Sequence, residues 1–239
     1  MSFYKFIEKK YFDDFFQTGS IRLGTLYNFQ MTEKHGMSRG DTTEGKHTVY
    51  RKIDDNLLVT NDNIKSEPMV SDFFGIEASS RGGFMIEDIL LQTRHTSPNM
   101  LIFCSSNPYS SGLFSKWYEK EKLDYCYEIF DVVGFCTAIT HALSTRSEGN
   151  KFRICKKVIY ANKNINHDSA YAKEPPCILK KKEHQWQNEM RMAWSFDDAS
   201  KDQEVIIMDV PEAVKFCRKY AFIEKNKIHY FSKFGRYFR

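Results

Sequence analysis

The residues best placed to do chemistry lie in WQNEMRMAW, residues 186–194. At the two-residue period of a strand, Trp186, Asn188, Met190, Met192 and Trp194 share one face, and Gln187, Glu189, Arg191 and Ala193 share the other. The first face suits a core. The second sets a carboxylate between two hydrogen-bonding partners on a rigid element, which would hold it ready for a ligand; it equally describes the solvated face of an edge strand. A second group is Phe103-Cys104-Ser105-Ser106-Asn107, where two hydroxyls follow an apolar run. Polar groups at such a strand end line binding sites, and they also make turns, because Ser and Asn bond their own backbone. The third is Arg22 in SIRLGTLYNF, close to Gly24. A guanidinium beside a residue without a side chain can approach a phosphate or carboxylate closely and grip it with two N–H groups. Pairing with Asp13 or Asp14 would occupy it equally well.

Taken in order, Arg22, then Phe103-Cys104-Ser105-Ser106, then Gln187-Asn188-Glu189 resembles the Arg, Ser-Thr-Ser, Gln-x-Glu series of the ADP-ribosyltransferases. Asn107 stands where that serine motif ends in Ser, and Arg22 follows the first helical segment rather than preceding it. With Tyr4 in the first-strand position the chain would be nearer the His/Tyr-type branch. The wider series YKF, IRLGTLYNF, an acidic loop ending in Glu44, CSS, Trp117-Tyr118, GFCTAI and KKKEHQWQNEMR is similar to a large prokaryotic domain family common in phage-defence neighbourhoods. Its signature is W-x-x-E-x-R, here Trp186, Glu189 and Arg191.

The resemblance implies an NAD-dependent mono-ADP-ribosyltransferase, a toxin or phage-defence effector acting on nucleic acid, RNA before DNA, or on a protein. Glu189 would then contact the nicotinamide ribose and Gln187 would position the acceptor. Tyr4 or Arg22, with Gly24, Ser105 and Ser106, would hold NAD, while Tyr27 and Trp117 stack on a ring. An antitoxin protein is an implied partner. Two other readings stay open: a noncatalytic nucleic-acid-binding or sensing module, and a nuclease in which Asp41, Glu44 and Glu189 hold a divalent metal.

From Lys215 onward the chain carries eight Lys or Arg against one acid, Glu224, interleaved with aromatic residues, although the whole chain is only +4. Arg218, Lys219, Lys233 and Arg236, with Arg191, would contact phosphates beside rings that stack on unpaired bases. Alternatively, Phe216, Phe222 and Phe231 belong to the core beneath a solvated basic face.

The elements that must position these groups read as follows. FYKFI is a strand, KKYFDDFFQTG a helix ending at Gly19, and SIRLGTLYNF a strand entering a turn. Residues 32–45 read as a polar loop able to cover a site, 46–60 as a hairpin-forming strand and 61–83 as an irregular insertion. MLIFCSS is a buried strand, SGLFSKWYEKEK a helix, and FDVVGFCTAIT and KFRICKKVIYA strands. After Pro175-Pro176, a basic helix runs into the WQNEMRMAW strand, followed by the strand QEVIIMDV and the helix PEAVKFCRKYA. This predicts one mainly antiparallel α+β domain over residues 1–239, a split sheet of ADP-ribosyltransferase type with helices on its sides and the tail 215–239 packed on it.

At 239 residues, 41% hydrophobic and 15% aromatic, the chain is rich enough in apolar groups to bury a core. No apolar stretch reaches the roughly 18 residues of a membrane span, and the charged N-terminus does not read as a signal peptide. Six dispersed cysteines form no C-x-x-C pair, and seven histidines show no ligand spacing. A cytoplasmic protein with free thiols and no metal site is expected.

Overall fold

The strand β1 (Phe3–Ile7) buries Phe3 on one face and Phe6 on the other. A strand with both faces covered belongs inside a layered fold. The computed structural model describes residues 1–31, 40–60, 62–75, 83–146, 150–195, 205–232 and 237–238. After β1, helix α1 (Lys9–Thr18) turns Phe12 and Phe15 inward. It ends at Gly19, whose φ of +78° is a left-handed conformation natural to glycine. A Cβ there would also strike the Val210 carbonyl carbon at 2.4 Å.

Next come β2 (Ser20–Thr25), β3 (Lys46–Ile53), β4 (Leu57–Thr60), α2 (Pro68–Phe74), β5 (Gly83–Ile86), β6 (Ile89–Thr96) and β7 (Met100–Ser106). Helix α3 (Ser111–Glu121), capped by the Ser110 side chain, leads to β8 (Tyr125–Ile129) and α4 (Val132–Arg146). The strands β9 (Lys151–Lys157), β10 (Ile159–Tyr160), β11 (Asn164–Asn166), β12 (Leu179–Lys180), β13 (Glu189–Ser195) and β14 (Ile206–Asp209) follow. The short helix α5 (Pro211–Val214) and the strands β15 (Cys217–Glu224), β16 (Lys227–Phe231) and β17 (Tyr237–Phe238) complete the chain.

Ten of these strands form one sheet centred on β7. β13 pairs antiparallel with β7 along its whole length, and β9 pairs with β13. The other edge of β7 is shared: β2 pairs at Leu101 and Ile102, and β1 at Ser106. Between those two contacts the sheet forks, and Lys5 Nζ donates to the Cys104 carbonyl at 2.8 Å in place of a strand. Beyond β1 come β8, β15, β16 and β17; beyond β2 comes β14. Helices α1, α4 and α5 cover one side over a core of Phe12, Phe103, Phe135 and Trp194. On the other side α3 covers Phe6 and Cys126. β11, β3 and β6 form a smaller three-stranded sheet, and β4 and β5 a separate pair. The fold is thus α+β and mostly antiparallel, with parallel pairing at β3-β11 and β10-β12. No helix of the described residues is long and apolar enough to cross a membrane.

Several expected elements are corrected. FDVVGFCTAIT is not a strand but the start of α4: its β-branched residues suggest a strand, yet Phe135, Cys136, Ile139 and Leu143 fall on one buried helical stripe. PEAVKFCRKYA is helical only to Val214; from Cys217 it pairs with β8 instead. Residues 46–60 do not close on themselves, because β3 pairs with β6 and β4 with β5. The basic segment 182–187 is a 3-10 turn. The insertion contains α2, with β5 starting at its last residue, and residues 32–39 of the expected covering loop lie outside the described residues.

Candidate functional site

β13 starts at Glu189, not at Trp186. Asn188 has a φ of +45°, a left-handed residue that turns the chain out of the preceding 3-10 turn. Trp186 therefore leaves the Met190–Met192–Trp194 row and packs on Trp117, with ring centroids 4.7 Å apart. Met190, Met192 and Trp194 do enter the main core, where Trp194 Nε1 donates to Thr140 Oγ1 at 2.8 Å.

The opposite face of β13 is neither an outer face nor exposed. Glu189 is 4% and Arg191 1% exposed. The Arg191 guanidinium donates from Nε to Glu189 Oε1 at 2.8 Å, and its Nη2 lies 2.7 Å from the same oxygen. Its Nη1 donates to Glu44 Oε1 at 2.8 Å and to the Cys177 carbonyl. Lys180 Nζ donates to Glu189 Oε2 at 3.0 Å and to Gln187 Oε1 at 2.8 Å. The Glu189 backbone N–H donates to the Tyr160 hydroxyl at 2.8 Å. Charges this deeply buried persist only when paired and hydrogen-bonded. Burial pushes the Glu189 carboxyl up, but Arg191 and Lys180 outweigh it and hold it well below the usual carboxylate range. For Lys180, burial alone would lower the ammonium, and Glu189 and Glu44 raise it. The neighbouring Cys104 thiol is pushed up to about 12 by burial and by Glu189, so it is a poor nucleophile.

Around this network stand buried groups with bonding capacity left over. Asp41 Oδ2, Glu44 Oε2 and both ring nitrogens of His184 make no hydrogen bond among the described residues. Asp41 Oδ1 accepts from the Thr43 N–H at 2.9 Å and from its hydroxyl at 2.7 Å. Lys163 donates to the Leu179 carbonyl at 2.5 Å; burial lowers its ammonium while Glu44 and Asp41 pull it upward. Glu44 and Asp41, proposed as metal ligands with Glu189, are arranged differently: Arg191 stands between the two glutamates. Among the described residues no cluster of three His, Cys, Asp or Glu side chains is set to hold a metal.

Pairing across the sheet places a second set of residues together. Tyr4 of β1 is the partner of Ser106 on β7, and Ser106 is the partner of Glu189 on β13. Tyr4 is also opposite Glu128 on β8, which is opposite Arg218 on β15. Directly paired residues point to the same face, so Arg218, Glu128, Tyr4, Ser106 and Glu189 form one polar row across five strands. Ser106 Oγ donates to the Gln187 carbonyl at 2.8 Å, Arg218 is bonded to the buried Glu128, and Tyr4 packs on Tyr220 with centroids 4.9 Å apart. Ser105 faces the other side and donates to the Met190 carbonyl at 3.4 Å.

The remaining expected residues sit elsewhere. Arg22 is exposed and opposite Ile207 on β14, away from the row. Gly24 is covered: the Phe29 ring lies 2.9 Å from where its Cβ would stand. Tyr27 ties down the turn before β7, its hydroxyl donating to the Ser97 carbonyl at 3.0 Å. Trp117 of α3 packs on Trp186, with Lys116 and Lys120 within 6 Å of the Trp186 ring. Phe216 and Phe231 are partly buried against the main core, and Phe222 stacks on Tyr125. Lys219 lies over the Phe12 and Phe16 rings, whereas Lys233 and Arg236 lie outside the described residues. Sequence reasoning passed over Lys180 and Tyr160, whose short strands offer no periodic pattern; the lysine that directly follows the apolar Cys177-Ile178-Leu179 was the available signal.

Comparison with protein-family models, with curated proteins and with solved structures finds no match to this chain.

Proposed function

We propose that the chain is an NAD-dependent mono-ADP-ribosyltransferase, a toxin or defence effector whose target is nucleic acid or a protein. The observation supporting this reading is the row Tyr4–Ser106–Glu189, which sets the first-strand, serine and glutamate positions of the resembled series side by side on three adjacent strands. It favours Tyr4 over Arg22 as the first-strand contact. Breaking the bond between nicotinamide and ribose passes through an oxocarbenium-like state, and a hydrogen bond to the ribose 2-hydroxyl that strengthens there lowers the barrier. Glu189, kept as a carboxylate by two cations, has the charge for that bond. Its Oε2 accepts from the Lys180 ammonium, and a carboxylate oxygen has lone-pair capacity for a second donor such as a ribose hydroxyl. The buried setting requires Lys180 or Gln187 to give way as NAD enters.

A second reading has its own support. The Glu189, Arg191 and Lys180 charges are already paired with one another inside the protein, as in a structural clamp, and this fits a noncatalytic nucleic-acid-binding or sensing module.

The deciding experiment incubates the folded protein with NAD labelled in its adenylate half and with total bacterial RNA, DNA and protein. Release of nicotinamide with label on one fraction is expected, and its loss in Glu189→Gln and Tyr4→Phe variants that retain the wild-type circular dichroism. A folded wild type that neither releases nicotinamide nor transfers label removes the transferase reading. Chelator-sensitive cleavage of the nucleic acid would put a nuclease in its place.

A further inference from the structure

Three sulfurs meet at the junction of α4 and the β13-β9 pair. Cys136 Sγ on α4 lies 3.5 Å from Met192 Sδ on β13. Met192 is the direct cross-strand partner of Cys155 on β9, so Cys155 points to the side of the sheet that α4 covers. All six cysteines are free; Cys136 is buried and Cys155 exposed. Cys155 also sits in the cationic run Arg153-Ile154-Cys155-Lys156-Lys157, which favours a thiolate. Contact with Cys136 holds Cys155 below the ordinary thiol value, and the same contact with burial raises Cys136.

We propose that Cys155 and Cys136 form an oxidation site at which a hydroperoxide converts the pair to a disulfide tying α4 to β9. The Cys155 thiolate attacks one peroxide oxygen, forming an S–O bond as the O–O bond breaks and hydroxide departs. The Cys136 sulfur then attacks Cys155, the S–S bond forms, and the sulfenic oxygen leaves as hydroxide. The two hydroxides take up the thiol protons, so two thiols and one hydrogen peroxide give one disulfide and two waters. Cys155 is the peroxide-reactive thiol and Cys136 the resolving one.

The test treats the intact protein with hydrogen peroxide, alkylates remaining thiols, and maps the peptides without reduction. Two of six thiols are expected to disappear, with Cys155 linked to Cys136 and the loss reversed by dithiothreitol. In Cys136→Ser, Cys155 should accumulate a sulfenic acid trapped by dimedone; in Cys155→Ser no thiol should be lost. If Cys136→Ser fails to fold, the linkage in wild type decides alone. Six thiols surviving peroxide, or Cys155 carried to sulfinic acid while Cys136 remains alkylatable, would overturn the proposal.

Discussion

Arg191 is the residue on which the buried cluster turns, because it bonds both Glu44 and Glu189. Replacing it by Met leaves two carboxylates in the interior with Lys180 touching only one of them. Removing one partner of a buried ion pair costs on the order of 3–5 kcal/mol. Arg191→Met should lower the urea midpoint accordingly, and by more than Glu189→Gln, whose amide oxygen still accepts from the guanidinium. Equal midpoints for Arg191→Met and wild type would show that water reaches the cluster. The sequence disclosed that Glu189 and Arg191 share a face. It set Glu44 with Glu189 only as ligands of a metal, not as partners of Arg191, because no local spacing records a contact across that distance.

Among the elements, α4 shows where local pattern misleads. Gly134 falls in FDVVGFCTAIT, read as a strand, yet it lies in the helix with the Phe216 ring against it: a Cβ there would come within 2.3 Å of the ring. Alanine would gain roughly 1 kcal/mol of helix propensity, but overpacking at such a contact costs about 1–3 kcal/mol. Gly134→Ala should therefore destabilise the protein, and a raised melting temperature would mean that the ring moves aside freely. β1, α1, β2, β7 and α3 were legible because caps and periodic apolar residues lie within each segment. β15 was hidden because what makes Cys217–Glu224 a strand is its pairing with β8, and Trp186 was misplaced because one left-handed residue breaks the period. Of the expected site, Tyr4, Ser106 and Glu189 came together, while Arg22 lies against β14 and Gly24 serves packing.

Over the whole molecule, stability should fall in two stages on acidification. Burial lowers the affinity of His47 and His184 for a proton in the folded state. Below about pH 6.5 the unfolded chain takes up protons that the folded one refuses, so stability drops. Glu189 and Asp41 are held below their ordinary values; the stability they contribute is present above about pH 4 and is lost as pH falls toward their folded values. Urea midpoints measured from pH 8 to 3 should show both declines, and a level midpoint between pH 7 and 5 would mean that the histidines are solvated. The shared edge of β7 bears on something else, the order of synthesis. A ribosome delivers β1, β2 and β7 in the first half of the chain, and β13 only near the end. Until then the apolar run MLIFCSS has no partner along one side, and an unpaired apolar strand invites pairing with other chains. The nascent protein thus carries its central strand half-matched from the synthesis of Ser106 until that of Ser195, a span in which a chaperone has something definite to hold.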